Sequence, residues 1–145
     1  MSDFNKKVFT MEFHSLQLPY ASLRIHKKNF LHKMEQSIQQ YGQIAPVITV
    51  QIKENQWVLV DGYLRVEALK RIKSDVVKAE EWNCDLQQAL VSVLRDLQHR
   101  PWEAIEEALL LRELKSLKMS QSQMAERLGR DQSWVSRRLA LLDSL

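Results

Sequence analysis

Ser120–Leu142 reads SQSQMAERLGRDQSWVSRRLALL, and its spacing predicts two short helices joined by a tight turn. The Ser120 hydroxyl can accept from an amide one turn on, and Gln123 can reach back to the amide of Ser120, the reciprocal pairing that starts a helix. A helix is therefore expected from Gln121, with Met124, Ala125 and Leu128 inward and Ala125 small enough for a second helix to cross close by. Gly129 ends it, because a residue without a Cβ takes the left-handed conformation that closes helices at little cost. Arg130 and Asp131 complete the turn. A second helix is expected from Gln132 or Ser133, with Val135, Leu139 and Leu142 on its core side and Leu141 beside them.

Gln132, Ser133, Trp134, Ser136, Arg137 and Arg138 are left near the start of that helix and on its other faces. Those types suit a nucleic-acid groove: Gln pairs with adenine, Arg with guanine or phosphate, and Ser with base edges or phosphate. Two helices joined by a short turn containing Gly fit the helix-turn-helix pattern, whose second helix enters the major groove of double-stranded DNA. Residues 132–138 are then the expected base readers, led by Arg137 and Arg138, while Ser122, Arg127 and Arg130 are expected on phosphate. Trp134 fits packing or a partner contact better than base reading. The plain alternative is a pair of packed helices with a solvated basic face.

Charge is concentrated on this stretch. From Lys118 to Arg138 five basic residues stand against two acidic ones, which equals the net +3 of the whole 145-residue chain. With 45% hydrophobic residues and only three Gly and three Pro, the chain belongs among folded globular proteins of one or two small domains. Cys84 is the single cysteine, so no intramolecular disulfide is available and a structural zinc site has too few thiols. His14, His26, His32 and His99 have no metal-ligand spacing. No run approaches the ~18 apolar residues of a membrane span, and MSDFNKKVFTM lacks the apolar core of a signal peptide, so a cytoplasmic setting is expected.

Upstream, residues 1–10 read as a loose leader and Thr10–Leu18 as a weak strand through Met11, Phe13 and Ser15, ended by Pro19. YASLRI (Tyr20–Ile25) reads as a turn and a short extended piece. Phe30, Leu31, Met34, Ile38 and Tyr41 recur at helical spacing before Gly42, predicting a helix over 28–41. Ile48, Val50 and Ile52 alternate with Val47, Thr49 and Gln51, predicting a half-buried strand over 46–52, and a turn at 53–56 leads into a second strand at 57–60. Tyr63–Ile72 reads as a helix striped by Leu64, Ala68 and Ile72, and Val76–Ala79 as a short strand. Asp85 and Gln88 form a second cap pair ahead of an apolar stripe that runs to residue 97. Pro101 opens a long helix over 102–117.

The corner Asp61-Gly62-Tyr63-Leu64-Arg65 is a second candidate site. A glycine between strand and helix lets the first helical amides face an anion, and Arg65 can add a bidentate phosphate contact. On local grounds a Gly at a strand end is more often only a turn. A lone Asp61 in such a turn more often caps amides than catalyses.

Over roughly residues 12–142 the chain resembles the ParB family of DNA-partition proteins. The first half resembles the ParB and sulfiredoxin fold in SIQQYGQIAPVITV and WVLVDGYLRVEALKRI. The second resembles the same family in AIEEALLLRELKSLKMSQSQMAERLGRDQSWVSRRLALL. The resemblance implies an α+β protein, with a small mixed-sheet domain (1–98) that binds a nucleotide, CTP with Mg2+ in many members, and an all-helical DNA-binding domain (99–145). By the same resemblance the nucleotide site would take Gly42, Gln43, Gly62, Tyr63, Leu64, Arg65, Asp96 and His99.

The sequence departs from the family at several of these positions. Where the family's turn reads Gly-Glu-Arg-Arg, Gly62 and Arg65 match but Tyr63 and Leu64 do not. Ala45 stands where a Gln usually precedes the hairpin's proline. The family's Glu-Asn-x-x-Arg element falls on Arg95, Asp96 and His99, which removes a magnesium-binding carboxylate and an arginine clamp and weighs against CTP binding and more against hydrolysis. Sulfiredoxin's corner cysteine is replaced by Tyr63 and Leu64, so its thiol chemistry is not expected.

The expected function is sequence-specific DNA binding in partition of a plasmid or mobile element, with a role in transcription regulation. A homodimer and a partition ATPase are the implied partners. Because the chain ends at Ser144-Leu145 as the last helix finishes, whereas family members carry a dimerisation module beyond the reader, further chain is expected. The competing expectations are a nucleotide-dependent enzyme (CTPase or ATPase, phosphotransferase or nuclease) built on Gly62–Arg65, and an adaptor whose second helix contacts protein through Trp134.

Overall fold

Strands β1 (Lys6–Glu12), β2 (Leu16–Gln17), β3 (Val47–Lys53), β4 (Gln56–Asp61) and β5 (Val76–Trp82) form one mixed sheet in the order β1-β5-β3-β4-β2. The structure is a computed structural model that describes residues 5–21, 28–96 and 102–144. Its contacts divide into two units, Asp3–Cys84 and Asp85–Leu145.

In the first unit β3 is central, antiparallel to β4 and parallel to β5. Helices α1 (Lys28–Tyr41) and α2 (Tyr63–Arg71) bring Leu31, Ile38, Val66, Ala68 and Leu69 into one core with Met11, Leu16, Val47, Leu59, Val77 and Ala79. This is the α+β arrangement of the expected first half.

Several expectations are corrected. Lys6–Thr10 is not a loose leader: it pairs with β5 in a register running from Lys6 opposite Trp82 to Glu12 opposite Val76. Its lysines and the exposed Val8 face solvent on an edge strand, which hides the inward Phe9 and Met11 from a pattern search. The expected strand over Thr10–Leu18 is interrupted by a 3₁₀ turn at Phe13–Ser15. Of YASLRI, residues 22–25 lie outside the described residues, whereas Tyr20 is buried.

β3 is expected to show one face to solvent, yet Val47, Ile48, Thr49 and Val50, on a strand paired on both sides, are all buried. Ile52 is instead 44% exposed, at the register shift between Gln51 and Lys53 where the hairpin leaves the core. Tyr41, assigned inward, is 66% exposed because it is the last residue of α1. The buried face of α2 is Val66, Ala68 and Leu69, with Leu64 and Ile72 only partly buried at its margin. β5 runs three residues past Ala79. Its extension is held by Thr49 Oγ1 donating to the Glu80 carbonyl (3.1 Å) and Trp57 Nε1 donating to the Glu81 carboxylate (2.6 Å).

The second unit contains α3 (Leu86–Asp96), α4 (Ala104–Ser116), α5 (Gln121–Leu128) and α6 (Gln132–Ala140), followed by a 3₁₀ turn at Leu141–Ser144. The cap before α3 forms as expected, Gln88 N donating to Asp85 Oδ1 at 2.8 Å and Asp85 N to Gln88 Oε1 at 3.1 Å. Residue 97, its expected end, lies outside the described residues. α4 starts at Ala104 rather than in the Pro101 turn, with Glu103 and Glu106 as a reciprocal capping box; Pro101 itself is not among the described residues. Leu110, Leu111, Leu114, Met119, Met124 and Val135 are buried. Leu141 is 37% exposed, because the tighter 3₁₀ winding after Ala140 carries it off the stripe of α6. By contacts α3 groups with the later helices, whereas the expected boundary at 98–100 places it with the sheet. Among the described residues, no helix is long and apolar enough to cross a membrane.

Candidate nucleic-acid interface

α5 begins as its sequence dictates. Ser120 Oγ accepts from Gln123 N at 3.1 Å, and Gln123 Oε1 accepts from Ser120 N at 2.9 Å. Met124 and Ala125 are buried, and Gly129 closes the helix at φ 67°, a left-handed conformation that costs a residue with a Cβ about 1 kcal/mol. Asp131 then starts α6. Its Oδ1 accepts from Trp134 N at 2.7 Å and from Ser133 Oγ at 2.8 Å, and Ser133 Oγ in turn accepts from Arg137 Nη1 at 3.1 Å. The Ser133 hydroxyl, and after it the Trp134 amide, hold the Asp131 carboxyl below its usual range, with Arg137 and Arg130 adding to the effect.

Only Val135 of α6 is fully buried. Gln132, Ser133, Ser136 and Arg137 are exposed on the helix, and Ser122, Arg127 and Arg130 are exposed on α5 and the turn. These seven side chains offer hydrogen-bond donors and cations to solvent.

Trp134 and Arg138, grouped with them by sequence, are half-buried and differently engaged. The guanidinium of Arg130 lies 4.7 Å, and that of Arg138 5.0 Å, from the Trp134 ring centroid. Arg138 Nε also donates to Glu107 Oε1 of α4 at 3.1 Å. Glu107 had no sequence signal, since it stands 31 residues from its partner. Asp131 as a helix cap had one, because an Asp just ahead of a helix start is a favoured cap.

The Gly62 corner holds part of what an anion needs. Gly62 has φ 106°, and a Cβ there would lie 2.6 Å from Val47 Cγ1, so both conformation and space demand glycine. The residue at the start of α2, Gly62, has no side chain to cap the helix. Arg65 is half-buried and, among the described residues, has no hydrogen-bond or ion-pair partner.

The neighbouring candidates have other work. Tyr63 points inward: its hydroxyl accepts from Tyr20 N at 2.8 Å and donates to the Leu59 carbonyl at 2.9 Å, and burial pushes the phenol well above its usual range. Leu64 packs against the core. Gly42 ends α1, its amide donating to the Ile38 carbonyl. Gln43 Nε2 donates to the carbonyls of Lys78 (2.7 Å) and Ala45 (3.0 Å), and its Oε1 accepts from Lys78 N (2.8 Å). Asp96 belongs to the helical unit, and both its oxygens accept from Arg95, at 2.9 and 3.1 Å; His99 lies outside the described residues. The corner fits a phosphate through Arg65 and the α2 amides. The donor set does not fit a magnesium ion, since the Asp96 carboxylate is closed by a guanidinium and, among the described residues, no three His, Cys, Asp or Glu side chains come together to hold a metal.

The ParB N-terminal domain model matches residues 3–96. The chain belongs to the ParB family. A KorB domain model matches residues 116–145 of this ParB-family chain, so the two matches together take in the sheet and the α5–α6 pair. The first ends at residue 96 and thus takes in α3, which contacts group with the helical unit. A nucleoid occlusion protein of Lysinibacillus sphaericus is 32% identical over 114 residues, 77% of this chain and 38% of that protein. Another, of Bacillus cytotoxicus, is 28% identical over 148 residues, 97% of this chain and 51% of that protein. The ParB-family chain therefore spans about half or less of the length of these relatives.

Among solved structures, the C-terminally truncated chromosome-partitioning protein ParB from Caulobacter crescentus in complex with CTP-gamma-S is 21% identical, with a TM-score of 0.55, over 94% of this chain and 79% of that one. The same protein complexed to the centromeric parS site gives 19% identity and a TM-score of 0.53 over 92% and 71%. Sulfiredoxin from Arabidopsis thaliana gives 15% and 0.50 over 54% and 86%. These likenesses establish the ParB/sulfiredoxin fold.

Proposed function

We propose that this ParB-family chain is a sequence-specific reader of double-stranded DNA, with α5, the Gly129–Asp131 turn and α6 as a helix-turn-helix. The observation that carries it is the ordered polar face of α6, where Asp131, Ser133 and Arg137 are hydrogen-bonded in series and open to solvent. Gln132, Ser133, Ser136 and Arg137 read base edges in the major groove, while Ser122, Arg127 and Arg130 hold phosphates. A fold neighbour crystallised on a centromeric DNA site supports the assignment.

The biological role we propose is DNA segregation, with transcription regulation as a related activity, by a homodimer working with a partition ATPase in the cytoplasm. Relatives named nucleoid occlusion proteins favour the chromosome over a plasmid as the DNA served. Selection of bound sequences from random duplex DNA, with and without CTP, tests this. A single enriched motif, of paired half-sites if the chain dimerises, is expected; recovery of unselected sequence overturns it.

A second reading is favoured by Arg65 in the first turn of α2, which starts at Gly62, and by the fold neighbour crystallised with CTP-gamma-S: the corner binds a nucleotide through its phosphates. Equilibrium binding of CTP and ATP, with Arg65→Ala as control, measures it. Turnover of the bound nucleotide together with no DNA specificity would replace the DNA-reading conclusion with the enzyme alternative.

A further inference from the structure

Residues 130, 134 and 138 recur every fourth position, and Trp134 is flanked by Arg130 at 4.7 Å and Arg138 at 5.0 Å from its ring centroid. A guanidinium over an indole keeps N–H groups free to donate, and Arg138 turns its Nε to Glu107 on α4 at 3.1 Å. The side chains of this ion pair are only 30% and 16% exposed. Beside the indole lies a cleft of about 250 Å³, bordered by Leu94, Arg95, Trp102, Leu128 and Arg130 and by Glu107 itself. Close packing therefore does not fix the ring on that side; the Arg130 and Arg138 guanidiniums on it, the second tied to the Glu107 carboxylate, hold it instead.

We propose that Glu107, Arg138 and Trp134 are positioning residues that set the roll of α6, and that Glu107 keeps Arg138 off the DNA backbone. The proposal rests on the DNA reading above and deepens it, because it moves two residues of the expected reading face into its support. Two roles of Arg138 are thereby separated. A cation on phosphate releases a counterion and steepens the salt dependence of binding, whereas one neutralised by Glu107 leaves that dependence alone and acts through the angle at which Arg137 meets the bases.

The test is duplex binding by the full chain across a salt series, on the selected site and on random sequence, with thermal unfolding run on each variant. Arg138→Gln is expected to leave the slope of log affinity against log salt unchanged while the ratio of specific to random affinity falls severalfold. Glu107→Gln frees the guanidinium, so random-sequence affinity rises and the slope steepens by about one. Trp134→Ala lowers the specificity ratio and Trp134→Phe, which keeps a stacking face, restores most of it. A shallower slope in Arg138→Gln, by about one, makes Arg138 a phosphate contact and overturns the proposal even if Glu107→Gln does not fold. Unchanged slope and ratio in a folded Glu107→Gln overturn it equally. A wild-type chain that binds no duplex overturns the DNA reading itself, and this inference with it.

Discussion

Arg137 Nη1 donates to the Ser133 hydroxyl at 3.1 Å, one turn back along α6. Since Ser133 is itself anchored on Asp131, the guanidinium is oriented before any DNA arrives, and less side-chain entropy remains to be lost on binding. Arg137→Ala is expected to cost about 1 to 3 kcal/mol on the selected site. Ser133→Ala should cost less than Arg137→Ala, and the double variant less than the sum of the two, since Ser133 both faces the groove and orients Arg137. Salt-matched titration checks all three, and unchanged affinity in Arg137→Ala refutes the base-reading role.

Gly62 and Gly129 both have positive φ, but only Gly62 lacks room for a Cβ. Gly62→Ala meets conformational strain and Val47 together and should destabilise the sheet unit by on the order of 3 kcal/mol. At Gly129 only the left-handed conformation is charged, about 1 kcal/mol. Urea unfolding of the two variants should rank them in that order.

Tyr63→Phe removes the partner of the Tyr20 amide and the Leu59 carbonyl and should cost about 1 to 3 kcal/mol at neutral pH. The pH dependence has a definite sign. The folded protein holds the phenol protonated past its ordinary value of 10.0, so the unfolded chain releases that proton first and wild-type stability declines as pH rises above that value. The phenylalanine variant lacks this component, so the gap between the two narrows in alkali.

Asp131 works in the opposite direction. Its folded carboxyl titrates below the ordinary 3.8, so the stability it contributes is present above that value and is lost as pH falls through it and below. Asp131→Asn keeps a capping oxygen without the charge. Thermal melts should find wild type the more stable at neutral pH, with the difference shrinking in acid; a constant difference would rule out the ionised cap.

Helix caps and glycine stops were legible because they are local: Ser120 with Gln123, Asp85 with Gln88, and Gly129 all lie within a few residues of their effect. The strands were less so. β1 is hard to see because its partner lies some seventy residues on and its outward face is basic, and β3 looks two-faced because nothing in VITVQIK announces that Val47, Ile48, Thr49 and Val50 are all buried. At the two sites the residue types were readable and their engagements were not. Gln43, Tyr63 and Arg138 carry groups suited to a ligand, yet each meets its partner through a contact 31 to 43 residues distant in sequence.

The pairing of β1 with β5 bears on synthesis. Strand β1 meets its neighbour only when Val76–Trp82 has been made, and closing so long a loop adds to the time β1 spends with both edges unpaired. β1 therefore cannot dock on the sheet before β5 has been made. Lys6 and Lys7 at the head of that waiting strand place like charges where two nascent chains would otherwise pair edge to edge.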